Sequence, residues 1–431
     1  MAAEWREIAL GEVAADLTVG YVGPMASEYV PSGIPFLRSQ NVEPFRVNHK
    51  DLKFISVSFH EKIHKSALSP GDVVIVRTGK PGATAVIPEW LENANCSDLV
   101  VVRPGPNLDP VYLMYYLNGA AFHHVAAHLV GAVQQHFNVA SARQIMMKLP
   151  PLPTQRTIAH VLGSLDDKIE LNRHMNRTLE EMARAFFKSW FVDFDPVRAK
   201  MEGRKPKGMD AATAALFPDR LVDSELGEVP EGWEVASFTS IVDVLGGGTP
   251  KTSVSEYWDG NIPWFSVVDA PKDSDVFVVA TEKAITEEGL QNSATRILSE
   301  GTTIITARGT VGKIALVGLP MAMNQSCYGL KGKVDPTGYF TYFATRELVS
   351  ALQQQAHGSV FDTITRDTLD GMSVSVPRPS IVHAYEELIS PVMGRIKNNS
   401  LESRTLAALR DSLLPKLLSG EVEVEEMGRP A

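Results

Sequence analysis

Nine residues of this chain have side chains that could contact nucleic acid, and several of them stand beside glycines. They are Arg77, Thr78, Lys80, Thr249, Lys251, Tyr257, Trp258, Arg308 and Lys313. Arginine and lysine neutralise phosphate, arginine can also pair with guanine, and glycines let a backbone approach a phosphate closely. These residues are therefore candidates for contact with nucleic acid. For any one of them alone, a solvated surface charge or a hairpin turn is the competing interpretation.

Catalytic or metal-binding patterns occur only in incomplete form. Residues 309–314 (GTVGKI) resemble a phosphate loop, but the lysine follows too soon and no Ser or Thr comes after it. His124 and His128 are four residues apart, with His123 and His136 nearby, yet no Glu completes a zinc-binding helix motif. No glycine-rich loop follows a strand in the way that S-adenosylmethionine binding requires. We therefore expect no catalytic residue, cofactor or metal in this chain.

Two long amphipathic stretches would position the candidate residues. In the first, the seam residues alternate in steps of four and three: Ile158, Leu162, Leu165, Ile169, Asn172, Asn176 and Leu179. This period of about 3.5 residues predicts one long helix over residues 154–195, which must pair with a second helix. Asn172 and Asn176 interrupt the apolar seam. Buried asparagines fix the register, because a slipped pairing would leave their amides unsatisfied.

The partner stretch is in the same chain. Its seam includes Ile389, Val392, Ile396, Asn399 and Leu406. Ile396 lies 227 positions after Ile169, and Asn399 lies 227 positions after Asn172. A copied seam with a copied polar interruption predicts a second helix over residues 380–420 that pairs with the first. The alternative is two unrelated amphipathic helices on separate cores.

The β-rich parts of the chain repeat with nearly the same offset. Gly71, Gly79 and Gly82 recur as glycines 230 positions later, so LSPGDVVIVRTGKPG matches LSEGTTIITARGTVG. Short β-branched runs bounded by glycine, proline and asparagine predict strands in both parts. The chain is therefore predicted to be a tandem duplication of one β-rich domain followed by one long helix, an α+β fold.

Length and composition exclude several classes of protein. The 431 residues are too many for one ordinary core, and 44% hydrophobic with 21% charged residues is typical of globular proteins. Cys96 and Cys327 cannot form a disulfide framework, so we expect a cytoplasmic location. No apolar run reaches the length of a membrane span, and the first residues lack signal-peptide features. The net charge of −10 does not exclude local basic faces, because an acidic tail inflates it.

Four stretches resemble the specificity subunits of Type I restriction-modification systems, and the resemblance covers essentially the whole chain. Residues 149–200 carry it most specifically, and residues 227–233, 246–264 and 413–420 support it. The resemblance implies two target recognition domains that each read half of a split, asymmetric DNA sequence. It also implies two antiparallel helices that hold the domains apart and dock two methyltransferase subunits, with motor-nuclease subunits joining for cleavage. S-adenosylmethionine, ATP and Mg²⁺ would then be bound by the partner subunits.

The patterns and the resemblance together predict six segments. These are target recognition domain 1 at 1–153, the first long helix at 154–195, a linker at 196–230, target recognition domain 2 at 231–379, the second long helix at 380–420 and an acidic tail at 421–431. The end of the first helix carries Phe186, Phe187, Trp190 and Phe191, more aromatic surface than one seam requires. We expect this end to contact a partner or to pack beneath domain 2.

The predicted function is non-catalytic recognition of DNA within a restriction-modification complex. Two interpretations from other classes stay open: a methyltransferase or nuclease that carries its own chemistry, and a protein-binding coiled-coil scaffold. The bases recognised and the spacer between half-sites depend on loop geometry and DNA shape, which residue spacing does not encode.

Overall fold

The computed structural model describes residues 5–79, 81–119, 137–271, 275–335, 337–355 and 363–422. Its contacts divide the chain into two compact units, one formed by Met1–Ile169 with Thr405–Ala431 and the other by Glu170–Arg404. We call them unit 1 and unit 2. Each unit contains one copy of the β-rich repeat and a segment of each of the two long helices.

Unit 1 contains two main sheets and several short helices. Its strands are β1 Arg6–Ala9, β2 Ala14–Val19, β3 Tyr29–Val30, β4 Ile34–Leu37, β5 Val42–Glu43, β6 Arg46–Val47, β7 Lys53–Ile55, β8 Ala67–Leu68, β9 Val73–Val76, β10 Thr84–Val86, β11 Ala94–Cys96, β12 Leu99–Pro104 and β13 Met146–Leu149. Its helices are α1 Leu10–Val13, α2 Val57–Lys62, α3 Pro110–Asn118, α4 Val139–Arg143 and the start of α5 Leu152–Phe191. The sheets have the orders β10-β9-β12-β2 and β3-β7-β4-β11-β8, with β1 paired to β13 and β5 to β6.

Unit 2 repeats this plan. Its strands are β14 Leu221–Ser224, β15 Gly227–Pro230, β16 Glu234–Ser237, β17 Val242–Gly246, β18 Trp258–Phe265, β19 Phe277–Val278, β20 Lys283–Ile285, β21 Thr303–Thr306, β22 Ile314–Val317, β23 Ala322–Met323, β24 Cys327–Gly332 and β25 Ser373–Val376. Its helices are α6 Asp195–Met201, α7 Ala211–Leu216, α8 Phe238–Ile241, α9 Glu287–Gln291, α10 Tyr339–Gln355, α11 Arg366–Asp370 and most of α12 Pro379–Ser419.

The strand order confirms the predicted duplication. The order β22-β21-β24-β17 in unit 2 reproduces β10-β9-β12-β2 in unit 1, and unit 2 adds β19 at the edge. A parallel pair recurs as β4 with β11 and as β18 with β23. An antiparallel pair beside the long helix also recurs, as β1 with β13 and as β16 with β25. The two copies therefore share topology as well as sequence pattern.

Both long helices form close to the predicted ranges. The structure buries eight of the twelve predicted seam residues and half-buries the other four, which are Leu165, Leu179, Val392 and Leu406. In unit 2, the Asn172 amide donates to the Ser403 hydroxyl at 3.3 Å, and the Asn399 amide donates to Asn176 Oδ1 at 2.9 Å. Because higher numbers in α5 face lower numbers in α12, the two helices run antiparallel.

In unit 1 the helices are held by a polar cluster. Asp166 on α5 accepts hydrogen bonds from the Tyr115 hydroxyl and from the Arg410 guanidinium, each at 2.5 Å. Arg410 on α12 also lies 4.1 Å from the centre of the Phe45 ring, a cation–π contact. Arg410, four residues after the seam residue Leu406, therefore ties α12 to α5 and to the β-rich part of unit 1.

The predicted linker at 196–230 is a folded part of unit 2. It contains α6, α7 and the β14–β15 hairpin, and it buries Val197 and Phe217 in the unit 2 core. Helix α5 ends at Phe191, and Phe194 takes a left-handed backbone with φ of 55°, which directs the chain into α6. The glycines, prolines and charges of this segment are typical of a linker, which is why the sequence suggested one. Its apolar residues are instead buried in the unit 2 core.

Candidate nucleic-acid interface

The glycines that align in the repeat form the same hairpin in both units. Gly82 donates its N–H to the Val76 carbonyl, and Gly312 donates to Thr306, each at 2.9 Å. Gly79 and Gly309, at the tips of the two hairpins, have φ of 86° and 79°. A residue with a Cβ rarely adopts this left-handed backbone, so glycine is needed at these turns. Residues 309–314 are therefore a hairpin that leads into β22, whereas a phosphate loop leads into a helix.

In unit 1 the hairpin arginine is tied to its own domain. Arg77 Nη1 forms an ion pair with Asp98 at 2.7 Å, and Arg77 Nε donates to the Phe137 carbonyl at 2.9 Å. The Thr78 hydroxyl donates to the other oxygen of Asp98 at 2.9 Å. Arg77 is thus a group of fixed orientation beside the hairpin. Lys80 lies outside the described residues.

In unit 2 the hairpin cations are exposed. Arg308 and Lys313 both point to solvent, and neither side chain forms a hydrogen bond or ion pair within the described part of the chain. The Arg308 backbone is fixed all the same, because its N–H donates to Ser326 at 3.2 Å and it forms a bridge with Thr363. An exposed guanidinium on a fixed backbone suits contact with phosphate or guanine.

The glycine-rich loop of unit 2 packs closely against its neighbours. A Cβ at Gly247 would lie 2.0 Å from the Asn324 carbonyl oxygen, and a Cβ at Gly248 would lie 2.6 Å from the Thr295 nitrogen. Only glycine permits this approach at both positions. The close approach of Gly247 and Gly248 to neighbouring backbone atoms therefore fixes the start of the loop that follows them.

Two tryptophans hold the same loop from within. Trp264 Nε1 donates to the Gly248 carbonyl at 3.0 Å, and Trp258 Nε1 donates to the Lys251 carbonyl at 3.2 Å. The two rings meet edge to face at 5.1 Å. Trp258 thus supports the loop from a half-buried position, as does Tyr257, whose N–H donates to the Val254 carbonyl at 3.2 Å. Lys251 on this loop is exposed, and the exposed Lys283 lies 5.8 Å from the centre of the Trp258 ring.

The structure brings Thr249 and Arg308, two of the second-half candidates, close to a residue that the sequence did not single out. The Thr249 hydroxyl donates to Gln325 Oε1 of the β23–β24 loop, and Arg308 bonds to the next residue, Ser326. We call Thr249, Lys251, Arg308 and Gln325 the unit 2 loop edge. Gln325 belongs to no motif, so only a residue-by-residue comparison of the two copies could have revealed it.

Neither a reactive thiol nor a cluster of metal ligands occurs among the described residues. Burial raises the pKa of Cys327 to about 12 and raises that of Cys96 further, so both thiols stay protonated at neutral pH. No group of three or more His, Cys, Asp or Glu that could hold a metal ion occurs within the described ranges. The histidines considered from the sequence, His123, His124, His128 and His136, lie outside those ranges.

The aromatic end of α5 packs inside unit 2. Phe187, Trp190 and Phe191 are at most 7% exposed and belong to its main core, and Phe186 packs against that core from a half-buried position. Trp190 meets the ring of Phe217, from the segment predicted as a linker, edge to face at 5.3 Å. Of the two expectations for this end, packing beneath the second domain is the one that the structure shows.

Within the described residues, no helix is both long and apolar enough to cross a membrane.

Comparison with known proteins identifies the family. A model described as "Type I restriction modification DNA specificity domain" matches residues 3–181 and again residues 230–408. The HindI Type I restriction enzyme specificity subunit from Haemophilus influenzae is 24% identical over 97% of this chain and 100% of its own length. The MjaIX specificity subunit from Methanocaldococcus jannaschii is 27% identical over 67% of this chain and 63% of its own.

A solved structure shares the fold. The S subunit of a Type I restriction-modification system from M. genitalium superposes with a TM-score of 0.54 at 14% identity, over 96% of each chain. The two matches to the family model start 227 residues apart, the offset that also relates the two helix seams. Since they cover most of the sequence, one per copy of the repeat, the chain belongs to the family of Type I restriction-modification DNA specificity subunits.

Proposed function

We propose that this subunit recognises a split, asymmetric DNA sequence, with one half read by each β-rich copy. The observation that supports it best is that the two copies share strand order and hairpin register but differ in their loop side chains. Val22 is 67% exposed where Thr249 stands in unit 2, and Pro24 stands where unit 2 has Lys251. Two copies with the same strand order but different exposed loop residues are suited to reading two different half-sequences.

We further propose that the chain is not itself catalytic and works in the cytoplasm. Two methyltransferase subunits and the motor-nuclease subunits would then supply the chemistry, together with S-adenosylmethionine, ATP and Mg²⁺. Support comes from the family assignment and from the buried, protonated state of both thiols. A purified chain that methylated or cut DNA unaided would establish the enzymatic alternative. Binding to the partners without any preference among duplexes would establish the scaffold alternative.

The test exchanges one copy. The chain, assembled with its methyltransferase partners, would select from random duplexes, and the selected DNA would be sequenced. Replacing residues 1–148 with the matching segment of a relative should change one half of the selected sequence and leave the other half unchanged. The matched control replaces residues 231–372 and should change the opposite half. If either exchange altered both halves or neither, the two-reader proposal would be wrong.

A further inference from the structure

Gln325 occupies an exposed position in the short loop between β23 and β24. The flanking backbone is well fixed, because Asn324 donates its N–H to Phe265 at 2.8 Å and its Oδ1 accepts the Ser326 N–H at 3.0 Å. The Gln325 side chain lies outside the unit 2 core, so packing does not require a glutamine at this position. A long amide side chain on a rigid, exposed loop is a group that can recognise a ligand.

The copy in unit 1 lacks this residue. Ser97 makes the backbone bond to the neighbouring strand that Asn324 makes in unit 2, and Leu99 and Cys327 open equivalent strands. One residue separates Ser97 from Leu99, whereas two separate Asn324 from Cys327. The loop of unit 2 is therefore one residue longer, and the additional side chain at its exposed centre is Gln325. The two copies differ in chain length at the edge where their loop residues meet.

The amide of Gln325 also has a defined orientation. The Thr249 hydroxyl donates to Oε1, which directs the carbonyl side of the amide toward the glycine-rich loop. A carbonyl oxygen can accept a second hydrogen bond, and the Nε2 group keeps its two donors. Exposed Lys251 follows Thr249 by two residues, and the backbone N–H of exposed Arg308 donates to Ser326, the residue after Gln325. An exposed amide with cations on the neighbouring loop segments is suited to reading a base between phosphate contacts.

We propose that Gln325 is a specificity-determining residue that reads an adenine in the half-site recognised by unit 2. This inference rests on the proposed function. A glutamine amide can donate to adenine N7 and accept from the N6 amino group in the major groove, a pair that no other base edge matches. Lys251 and Arg308 would hold the phosphates on either side, and Thr249 would keep the amide in its reading orientation.

The experiment selects from random duplexes with the chain assembled with its methyltransferase subunits. The variant Gln325→Ala should lose discrimination at one base pair by about 5- to 150-fold, the range of one bidentate contact. All other positions, including the whole half-site of unit 1, should keep their preference. The variant Gln325→Glu should turn the preference at that base pair from adenine toward cytosine, because a carboxylate accepts from the cytosine N4 amino group.

Matched variants separate base reading from other effects. Lys251→Ala should weaken binding to all sequences alike and lower the salt slope by about 1, as loss of a phosphate contact does. Val22→Ala, at the equivalent loop of unit 1, should leave the unit 2 half-site unchanged. Unchanged preferences in Gln325→Ala, or a change in the half-site of unit 1, would overturn the proposal. A wild-type complex that selected no split sequence would instead overturn the proposed function.

Discussion

The two hairpins carry their arginines one position apart, because Arg77 matches Ala307 and Arg308 matches Thr78. Arg77 is 18% exposed and paired with Asp98, whereas Arg308 at the matching hairpin is exposed. An arginine held by a carboxylate presents its remaining donors in one direction, and an unpaired arginine can follow a phosphate. Because the hairpins are alike, these differences arise from single side chains.

A buried carboxyl in unit 2 leads to a prediction about pH. Glu386 on α12 is 3% exposed and accepts the Phe340 N–H at the start of α10 at 2.6 Å. Burial raises its pKa from 4.5 to about 8, so the folded chain keeps a proton that the unfolded chain releases. The free energy of unfolding should therefore fall between pH 4.5 and pH 8, by up to about 1.4 kcal/mol per pH unit from this group. Glu386→Gln, which keeps the acceptor and cannot ionise, should lose this slope.

Urea unfolding of the full chain at pH 5 and pH 8 would measure the effect. Burial raises the pKa of the nearby Asp335 as well, but Asp335 is present in both proteins and cancels in the comparison. Glu387→Gln, at the exposed neighbouring position, is the control and should keep the wild-type slope. The same pH dependence in Glu386→Gln and wild type would mean that Glu386 is ionised in the folded protein.

The elements that follow from local rules were predictable from the sequence. The long helices appear as a four-three alternation because a helix seam depends only on positions along one segment. Gly79 and Gly309 mark hairpins because a left-handed turn needs glycine wherever it occurs. The Thr249–Gln325 contact and the Arg77–Asp98 pair were not predictable, because they depend on loops brought together by strands distant in sequence. Phe217 was assigned to a linker because the unit 2 core that buries it is formed by segments distant from it in sequence.

The aromatic end of α5 provides a prediction about stability. Trp190 is 5% exposed, and its ring meets those of Phe217 and Tyr385. Trp190→Ala should lower the free energy of unfolding of unit 2 by about 3–5 kcal/mol, because it opens a cavity in the core. The control on the same helix is Met182→Ala, 45% exposed, which should change it by less than about 0.5 kcal/mol. Unchanged stability in Trp190→Ala together with weaker methyltransferase binding would show that this end is a docking surface.

The chain contains two copies of one β-rich fold with a long helix, and the copies differ in some of their side chains. Both copies keep the parallel strand pair, the hairpin and a long helix that continues from the β-rich part. The two copies differ in their loop side chains, such as Val22 in unit 1 and Thr249 in unit 2, and in the residues that pack on the long helices. In the seam, Arg410 of unit 1 stands where the repeat places Ala183 in unit 2, 227 residues earlier. Conservation of the frame and divergence of the contacts allow each half to acquire its own sequence preference.

The last prediction concerns the spacer between the two half-sites. Helices α5 and α12 each contribute to both units, so we expect their length to determine the spacer. The antiparallel pairing places His174 opposite Leu401, between the Asn172–Ser403 and Asn176–Asn399 contacts. Seven residues inserted after His174 and seven after Ser400 would keep both contacts and add roughly 10 Å of helix. That length corresponds to about three base pairs of duplex at 3.4 Å each.

The expected result follows from comparing the two rotations. A heptad turns a straight helix by only about 20°, whereas three base pairs turn the second half-site by roughly 100°. The variant should therefore bind more weakly, yet its selected DNA should keep both half-sequences and contain a longer spacer. The control inserts four residues after His174 alone, which breaks the seam, and it should abolish selection of the split site. Random-spacer selection with the methyltransferase partners is the measurement. If the heptad variant kept the original spacer at full affinity, some element other than these helices would determine the spacing.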